Sequence, residues 1–248
     1  MRRSLPQAFQ GAATVAVLGW TLGSICSVPS PTAGAQEIDN VEAVRRVDAA
    51  IHARYDAVAA YTVTEHYTVF RSGNETAPAA EMTVKTTYRR ETGKTYSVVS
   101  ESGSTIIRKF GLEPLLENEK RVNDAANREA FWFTSANYDM KLKAGKPEPM
   151  DGVDCLAIAI VPKRKAPNLI VGTIWVDVND FQIVRIEGTG TKSSSMWTGP
   201  ARVVRQYARF SGFSQATHAH AETDSSLFGK TVVVIDYQDY QVELRKTP

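Results

Sequence analysis

The spacing of hydrophobic residues changes from helical to strand-like near residue 60. Between Val41 and Val58 they recur at three- and four-residue steps, after Asp39 and Asn40, either of which can cap a helix. From residue 61 to residue 71, aromatic and β-branched side chains alternate with polar ones, which is typical of a strand. The sequence therefore predicts an opening helix followed at once by a strand.

Strand-like segments recur over most of the remaining chain, separated by short turns rich in glycine, proline and serine. Eleven strands are predicted, over residues 61–71, 82–90, 94–100, 105–110, 138–142, 155–161, 169–177, 182–188, 203–210, 215–225 and 231–244. A second helix is predicted over residues 115–130, because Pro114 suits a first helical turn and few β-branched residues follow. This order predicts a mainly β (α+β) fold, a large curved antiparallel sheet or barrel with helices over one face.

One hairpin is regular enough for its register to be predicted. A four-residue loop pairs Asp177 with Gln182, which places Trp175 opposite Val184 on an apolar face. Arg185 then points to the opposite, polar face. A slip of one residue would exchange the two faces.

The first 35 residues resemble a secretory signal peptide. Arg2 and Arg3 precede an apolar run over residues 12–25, and an Ala-x-Ala cleavage signal ends at Ala35. We predict cleavage there, leaving one domain over residues 36–248 in the periplasm. The arginine pair leaves general secretion and twin-arginine export both open. Lipidation at Cys26 is disfavoured, because bulky Ile25 stands where a lipoprotein signal needs a small residue.

Charge and cysteine content narrow the function classes. The chain has 29 Lys and Arg against 27 Asp and Glu, and removal of Arg2 and Arg3 makes it neutral. A neutral domain is not an electrostatic binder of nucleic acid. Cys155 is then the one remaining cysteine, so no intramolecular disulfide is expected. Its apolar strand context predicts an inert, buried thiol.

No motif for catalysis stands out, and we expect neither enzymatic activity nor a cofactor. The strongest alternative is a metal-dependent hydrolase built on His218, His220 and Glu222, which share one face of a strand. The simpler interpretation is a polar outer face. A basic loop over residues 163–165 is either a solvated hairpin tip or a contact for anionic lipid or an acidic partner.

Large side chains on the predicted strands could line an apolar cavity or fill the core themselves. The candidate lining residues are Tyr67, Met82, Tyr88, Tyr96, Met140 and Trp175.

Several segments of the second half resemble the outer-membrane lipoprotein-sorting superfamily, the LolA-like periplasmic carriers. The most diagnostic is the hairpin Gly-Thr-Ile-Trp-Val-Asp at 172–177 with Ile-Val-Arg-Ile-Glu-Gly at 183–188. Others lie at residues 137–139, 151–155, 162–165 and 228–237. Where relatives often have Phe-Trp-Leu-Pro, residues 213–216 are Phe-Ser-Gln-Ala.

The resemblance implies a half-open β-barrel of about eleven strands, with helices as a lid over a hydrophobic concavity. It implies a monomeric periplasmic protein that binds lipid acyl chains or lipoproteins, in outer-membrane lipoprotein sorting and biogenesis. The alternative is a lipid- or peptide-sensing regulator of envelope stress, which would contact an envelope partner protein. No catalytic residues are implied by this family.

Overall fold

A computed structural model describes residues 38–72, 75–192, 200–225 and 229–246. The predicted signal peptide, its cleavage site and Cys26 lie outside these residues, so they stay predictions, as do the domain boundaries. None of the described helices is long and apolar enough to cross a membrane.

The described chain is mostly β, as predicted. The helical elements are α1 (Asn40–Ala57), α2 (Thr105–Ile107), a π-helical turn (Arg108–Leu112), α3 (Glu113–Asn123) and a 3-10 turn (Arg128–Phe131). The strands of the first half are β1 (Val58–Arg71), β2 (Ala80–Arg89), β3 (Gly93–Gly103), β4 (Tyr138–Leu142) and β5 (Glu148–Met150). Those of the second half are β6 (Val153–Pro162), β7 (Ile170–Asp177), β8 (Ile183–Gly190), β9 (Arg202–Phe210), β10 (Phe213–Ser225) and β11 (Gly229–Leu244).

All of these strands form one antiparallel sheet that stays open. The order is β3-β2-β1-β11-β10-β9-β8-β7-β6-β4, with β5 paired to the end of β6. Most neighbours are consecutive in sequence, and the exceptions are the pairing of β4 with β6 and that of β1 with β11, which runs from Val58 opposite Leu244 to Arg71 opposite Thr231. The predicted open, curved sheet is confirmed.

The helices pack on one face of the sheet, as predicted. In α1, the Asp39 side chain accepts a hydrogen bond from the Glu42 amide and so caps the helix. Ala43, Val47 and Ile51 are its buried residues. They join a cluster with strands β6, β7 and β8. The helix α3 covers the other half of the sheet, where its apolar side chains join residues of β1, β2, β10 and β11.

The sequence prediction is wrong at two elements between residues 103 and 130. Residues 105–110 are helical rather than a strand, because Gly103 ends β3 with φ +76° and the Ser104 side chain then accepts from the Ile107 amide. The predicted second helix, 115–130, stops at Asn123 and is followed by turns. The short strand β5 has no counterpart among the predicted strands.

The predicted register of the β7–β8 hairpin is correct only next to its turn. The Asp177 amide donates to the Gln182 carbonyl at 3.0 Å, as expected. A β-bulge between Trp175 and Val176 then shifts the pairing by one residue, so Trp175 lies opposite Arg185 and not Val184. The prediction that Trp175 occupies the apolar face is therefore wrong.

Candidate functional site

A cavity of about 280 Å³ lies between the helical cover and the sheet. Helix α1 contributes Ile51, Arg54 and Tyr55, and the chain around the 3-10 turn contributes Arg128 and Trp132. The floor is formed by side chains of β7 to β11, with β1 and β3 at one side. The volume lies close to the lower end of the roughly 300–1,000 Å³ of small-molecule sites.

Part of the cavity wall is apolar. Aliphatic and phenyl side chains come from helices, turns and strands alike: Ile51, Val122, Phe131, Phe133, Ile170, Ile183, Ile186 and Val203. Five tyrosines, Tyr55, Tyr61, Tyr207, Tyr237 and Tyr240, add ring surface and hydroxyl groups. Burial raises the pKa of the Tyr237 hydroxyl, so it stays protonated. Such a wall suits a ligand with an extended apolar part.

The rest of the wall is polar, and three of its charged groups form a balanced network with Glu65, which does not line the cavity itself. Lys94 Nζ lies 3.2 Å from Glu119 and 3.9 Å from Glu65, and Arg205 lies 3.8 Å from the other oxygen of Glu119. Burial works against ionisation of Glu119, but Lys94 and Arg205 outweigh it and lower its pKa. The two carboxylates therefore match the two cations, and Glu119 ties α3 to β3 and β9.

Two further guanidinium groups in the cavity contact neutral acceptors. Arg54 donates to the Ser214 carbonyl and to Gln215 Oε1, both at 2.8 Å. Arg128 donates to the Tyr88 hydroxyl at 3.1 Å and to the Arg90 carbonyl. Neither Arg54 nor Arg128 has an ion pair within the described part of the chain.

Four buried N–H donors that line the cavity lack a hydrogen-bond partner among the described residues. They are Arg128 Nε, Trp132 Nε1, Arg205 Nε and Gln215 Nε2. Buried polar groups in proteins are nearly always satisfied, so a cluster of unsatisfied donors around one cavity calls for an explanation.

None of the six sequence-predicted lining residues faces this cavity. Tyr67 and Met82 are 1% exposed and belong to the cluster under α3, where Tyr96 packs beside them. The Tyr67 hydroxyl donates to Glu65, and that of Tyr96 to Glu117 at 2.5 Å. Tyr67 and Met82 therefore fill the core and Tyr96 is half-buried beside them, and a role for these residues in ligand binding stays a prediction.

The other three candidates also lie elsewhere. Tyr88 is 3% exposed and stacks on Tyr61, with ring centroids 4.9 Å apart. Met140 packs against the cluster beneath α1. Trp175 is on the opposite side of the sheet from Ile174 and Val176, and its Nε1 donates to Glu148 at 2.6 Å.

The residues considered for catalysis are held by structural contacts. His218 Nδ1 lies 2.8 Å from Asp236, and no group of three metal-ligating side chains forms anywhere in the described ranges, at His218 and His220 included. Cys155 is fully buried, and burial raises the pKa of its thiol to about 11, which disfavours the reactive thiolate.

The basic loop is tied to the chain itself. Lys163 donates to the Ser135 carbonyl at 2.7 Å, and Arg164 to the Ala130 carbonyl at 2.6 Å. The guanidinium of Arg164 also lies over the Phe131 ring. The loop therefore fixes the segment that carries Phe131, one wall of the cavity.

One pattern in the sequence indicates the cavity, although the size of the side chains alone does not. Val203, Arg205 and Tyr207 alternate along β9 and all line the cavity. A charged residue that shares an inward-facing side of a strand with apolar residues indicates that the interior also contains polar groups. The reason is that burial of an unmatched charge is costly. Gln215, which is 2% exposed on β10, belongs to the same wall.

No protein-family model matches the chain, and no curated protein sequence matches it significantly. Similar solved structures include a LolA superfamily protein from Nitrosomonas europaea, with 13% identity, a TM-score of 0.44, and coverage of 85% of this chain and 96% of that one. A DUF1329 family protein from Desulfovibrio piger has 14% identity and a TM-score of 0.44, with 83% and 94% covered.

A third similar structure is a putative outer membrane lipoprotein-sorting protein domain from Vibrio parahaemolyticus. It has 12% identity and a TM-score of 0.46, over 82% of this chain and 94% of that one. At this level, none of the three likenesses assigns a function to the chain. Structures of the superfamily that the sequence resembles are thus among those similar to this fold.

Proposed function

We propose that this protein binds an apolar chain, such as an acyl chain of a lipid or lipoprotein, in the cavity between the helices and the sheet. The main support for this proposal is the cavity itself, which has an apolar wall of isoleucine, valine and phenylalanine side chains. The proposed role is binding and transfer in the periplasm, in lipoprotein sorting, rather than catalysis.

The apolar wall can supply enough free energy for such binding. Burial of one methylene contributes about 0.8 kcal/mol, so ten methylenes give a gross gain of about 8 kcal/mol before the costs of association. A volume of about 280 Å³ suits one short chain better than several. Because a Kd of about 1 μM corresponds to about 8 kcal/mol of net free energy, the chain alone is expected to bind more weakly than that once the association costs are subtracted.

The test is a titration of delipidated protein with a fluorescent fatty-acyl probe. The variant Val203→Trp places an indole in the cavity wall on β9, whereas Val171→Trp places one at a site that is 46% exposed on β7. We expect saturable binding to the wild type and to Val171→Trp, and binding at least about tenfold weaker for Val203→Trp. Circular dichroism checks that all three proteins are folded.

Two outcomes would contradict the proposal. The first is an absence of saturable binding to the folded, delipidated wild type. The second is equal weakening by Val203→Trp and Val171→Trp, because only the first site lines the cavity. Native mass spectrometry of protein purified from the periplasm adds an independent readout, since a retained lipid appears there as added mass.

A further inference from the structure

Resting on this proposed function, we infer that the ligand is a single-chain amphiphile whose anionic headgroup, a carboxylate or a phosphate, is held inside the cavity by Arg54 and Arg128. Trp132, Arg205 and Gln215, each of which has an unpartnered N–H group, line the same cavity. The apolar wall would hold the chain, and the donors would hold the head.

The first argument is that the unsatisfied groups at the cavity are all donors. Arg128 Nε, Trp132 Nε1, Arg205 Nε and Gln215 Nε2 each carry hydrogen and no free lone pair. An apolar chain alone would leave all four unsatisfied, at a cost of about 1–3 kcal/mol each. A ligand group with several acceptor oxygens is the kind of partner that these donors lack.

The geometry of Gln215 shows how this arrangement is held. Arg54 can only donate, so its contact at 2.8 Å is with the amide oxygen of Gln215. The amide nitrogen of Gln215 is thereby turned away from Arg54, and it lacks a partner in the described structure although the residue is only 2% exposed. The fixed amide therefore leaves a donor, and no acceptor, available to a further partner.

The second argument is the charge of the wall. Glu65 and Glu119 are matched by Lys94 and Arg205 at 3.2–3.9 Å. The guanidinium groups of Arg54 and Arg128 have only neutral acceptors. A cavity wall with two unmatched cations favours a ligand of opposite charge, because an unpaired buried charge is costly.

The third argument is that three of the residues with cavity donors are connected through Tyr55. The Arg54 guanidinium lies 4.8 Å from the centre of the Tyr55 ring, and the Trp132 ring stacks on the same tyrosine at 4.1 Å. Arg90, whose carbonyl accepts from Arg128, donates to the Tyr55 carbonyl at 2.8 Å. Arg54 and Trp132 thus both contact Tyr55, at the end of α1, and Arg128 is linked to the same residue through Arg90.

The first experiment compares ligands with one chain and different heads. Laurate, dodecyl phosphate and dodecanol share a twelve-carbon chain, and acetate and inorganic phosphate supply the heads alone. At pH 8 and by calorimetry, we expect the better anionic amphiphile to bind at least about tenfold more tightly than dodecanol. The preferred head, laurate or dodecyl phosphate, identifies carboxylate or phosphate as the natural group.

The possible failures separate the two proposals. Equal binding of dodecanol and both anions would overturn the headgroup inference and leave the proposed function intact. Binding of acetate or inorganic phosphate as tight as that of the amphiphiles would also overturn it, because the chain would then contribute nothing. Binding of none of the five would overturn both.

The second experiment assigns the headgroup to the two arginines. Arg54→Gln and Arg128→Gln remove one cation each and keep a donor, and Arg45→Gln and Arg121→Gln are exposed controls on α1 and α3. We expect each cavity variant to reduce the preference for the anion over dodecanol by roughly tenfold, and the two exposed controls to leave that preference unchanged. If both cavity variants keep the preference for the anion over dodecanol, the assignment of the headgroup to Arg54 and Arg128 is refuted. If either variant does not fold, the comparison of headgroups on the wild-type protein decides.

Discussion

The charge of Glu119 is predicted to be a major contributor to the stability of the helical cover. The variant Glu119→Gln removes the carboxylate that lies 3.2 Å from Lys94 and 3.8 Å from Arg205. At an effective dielectric constant of about 20, these distances correspond to gross attractions of roughly 5 and 4 kcal/mol, most of which desolvation cancels.

The net loss in the free energy of unfolding depends on the charges that Glu119→Gln leaves without a partner. Removal of one partner from a fully buried pair costs about 3–5 kcal/mol, because the other charge stays buried. Glu119 and Arg205 retain 23% and 30% side-chain exposure, and Lys94 keeps Glu65 at 3.9 Å. We therefore expect a loss of about 2–3 kcal/mol in the free energy of unfolding, measured by urea denaturation at pH 7.

The pH dependence gives a second, independent reading. Burial works against ionisation of Glu119, but Lys94 and Arg205 outweigh it and lower its pKa in the folded protein. The stabilisation that the charge of Glu119 provides is therefore complete above the pKa of glutamate in the unfolded chain. It is lost as the pH falls through the lower pKa of the folded protein. The difference between wild type and Glu119→Gln should thus be full at pH 7 and narrow below roughly pH 4.

A matched control is available on the same helix. Glu117 pairs with Lys120 at 3.9 Å across two largely exposed side chains, and it accepts from the Tyr96 hydroxyl at an exposed site. The amide oxygen of a glutamine can still accept from Tyr96, so Glu117→Gln should cost less than about 1 kcal/mol. A loss below 1 kcal/mol for Glu119→Gln at pH 7, or an equally large loss at pH 3, would refute this account of the network.

Three further predictions concern the core and the far side of the sheet. Ile158→Ala should lower the free energy of unfolding by about 2–5 kcal/mol, because Ile158 is fully buried, whereas Val161→Ala, at a site 49% exposed, should change it by less than about 0.5 kcal/mol in the same denaturation assay. Burial, which raises the pKa of Cys155 to about 11, should keep its thiol unreactive toward a disulfide reagent at pH 8 until urea unfolds the protein; rapid labelling of the folded protein would contradict this. Trp175→Phe removes the donor to Glu148 and should leave binding of the acyl probe unchanged, and a loss of binding would place Trp175 in the site after all.

The sequence was sufficient for the fold because strand periodicity is a local property. The alternation along β1 and the helical spacing of α1 each follow from which face contacts the core, so both elements were predicted. Residues 105–110 were not, because their β-branched residues favour a strand while the hydrogen bond to Ser104 favours a helix. A weak local preference yields to such a cap and to packing under β2.

The residues that line the cavity could not be predicted from the size of their side chains. Large residues such as Tyr67 and Met82 lie where α3 packs on the sheet, and there they fill space. A cavity is bounded by residues from distant parts of the chain, such as Arg54, Arg128 and Gln215, whose proximity depends on the complete topology. For Trp175 the error was smaller, since a single bulge moved it to the other face.

The pairing of β1 with β11 has a consequence for how the chain folds. In the described sheet, β11 is the strand that joins the β1–β3 meander to β4–β10, so the two halves remain separate sheets until residues 229–244 are in place. That closure spans most of the chain and is entropically slow. During synthesis from the amino end, the edges of β1 and β10 that pair with β11 would therefore stay unpaired until the last strand is available. Unpaired sheet edges are prone to aggregation and can be bound by a chaperone.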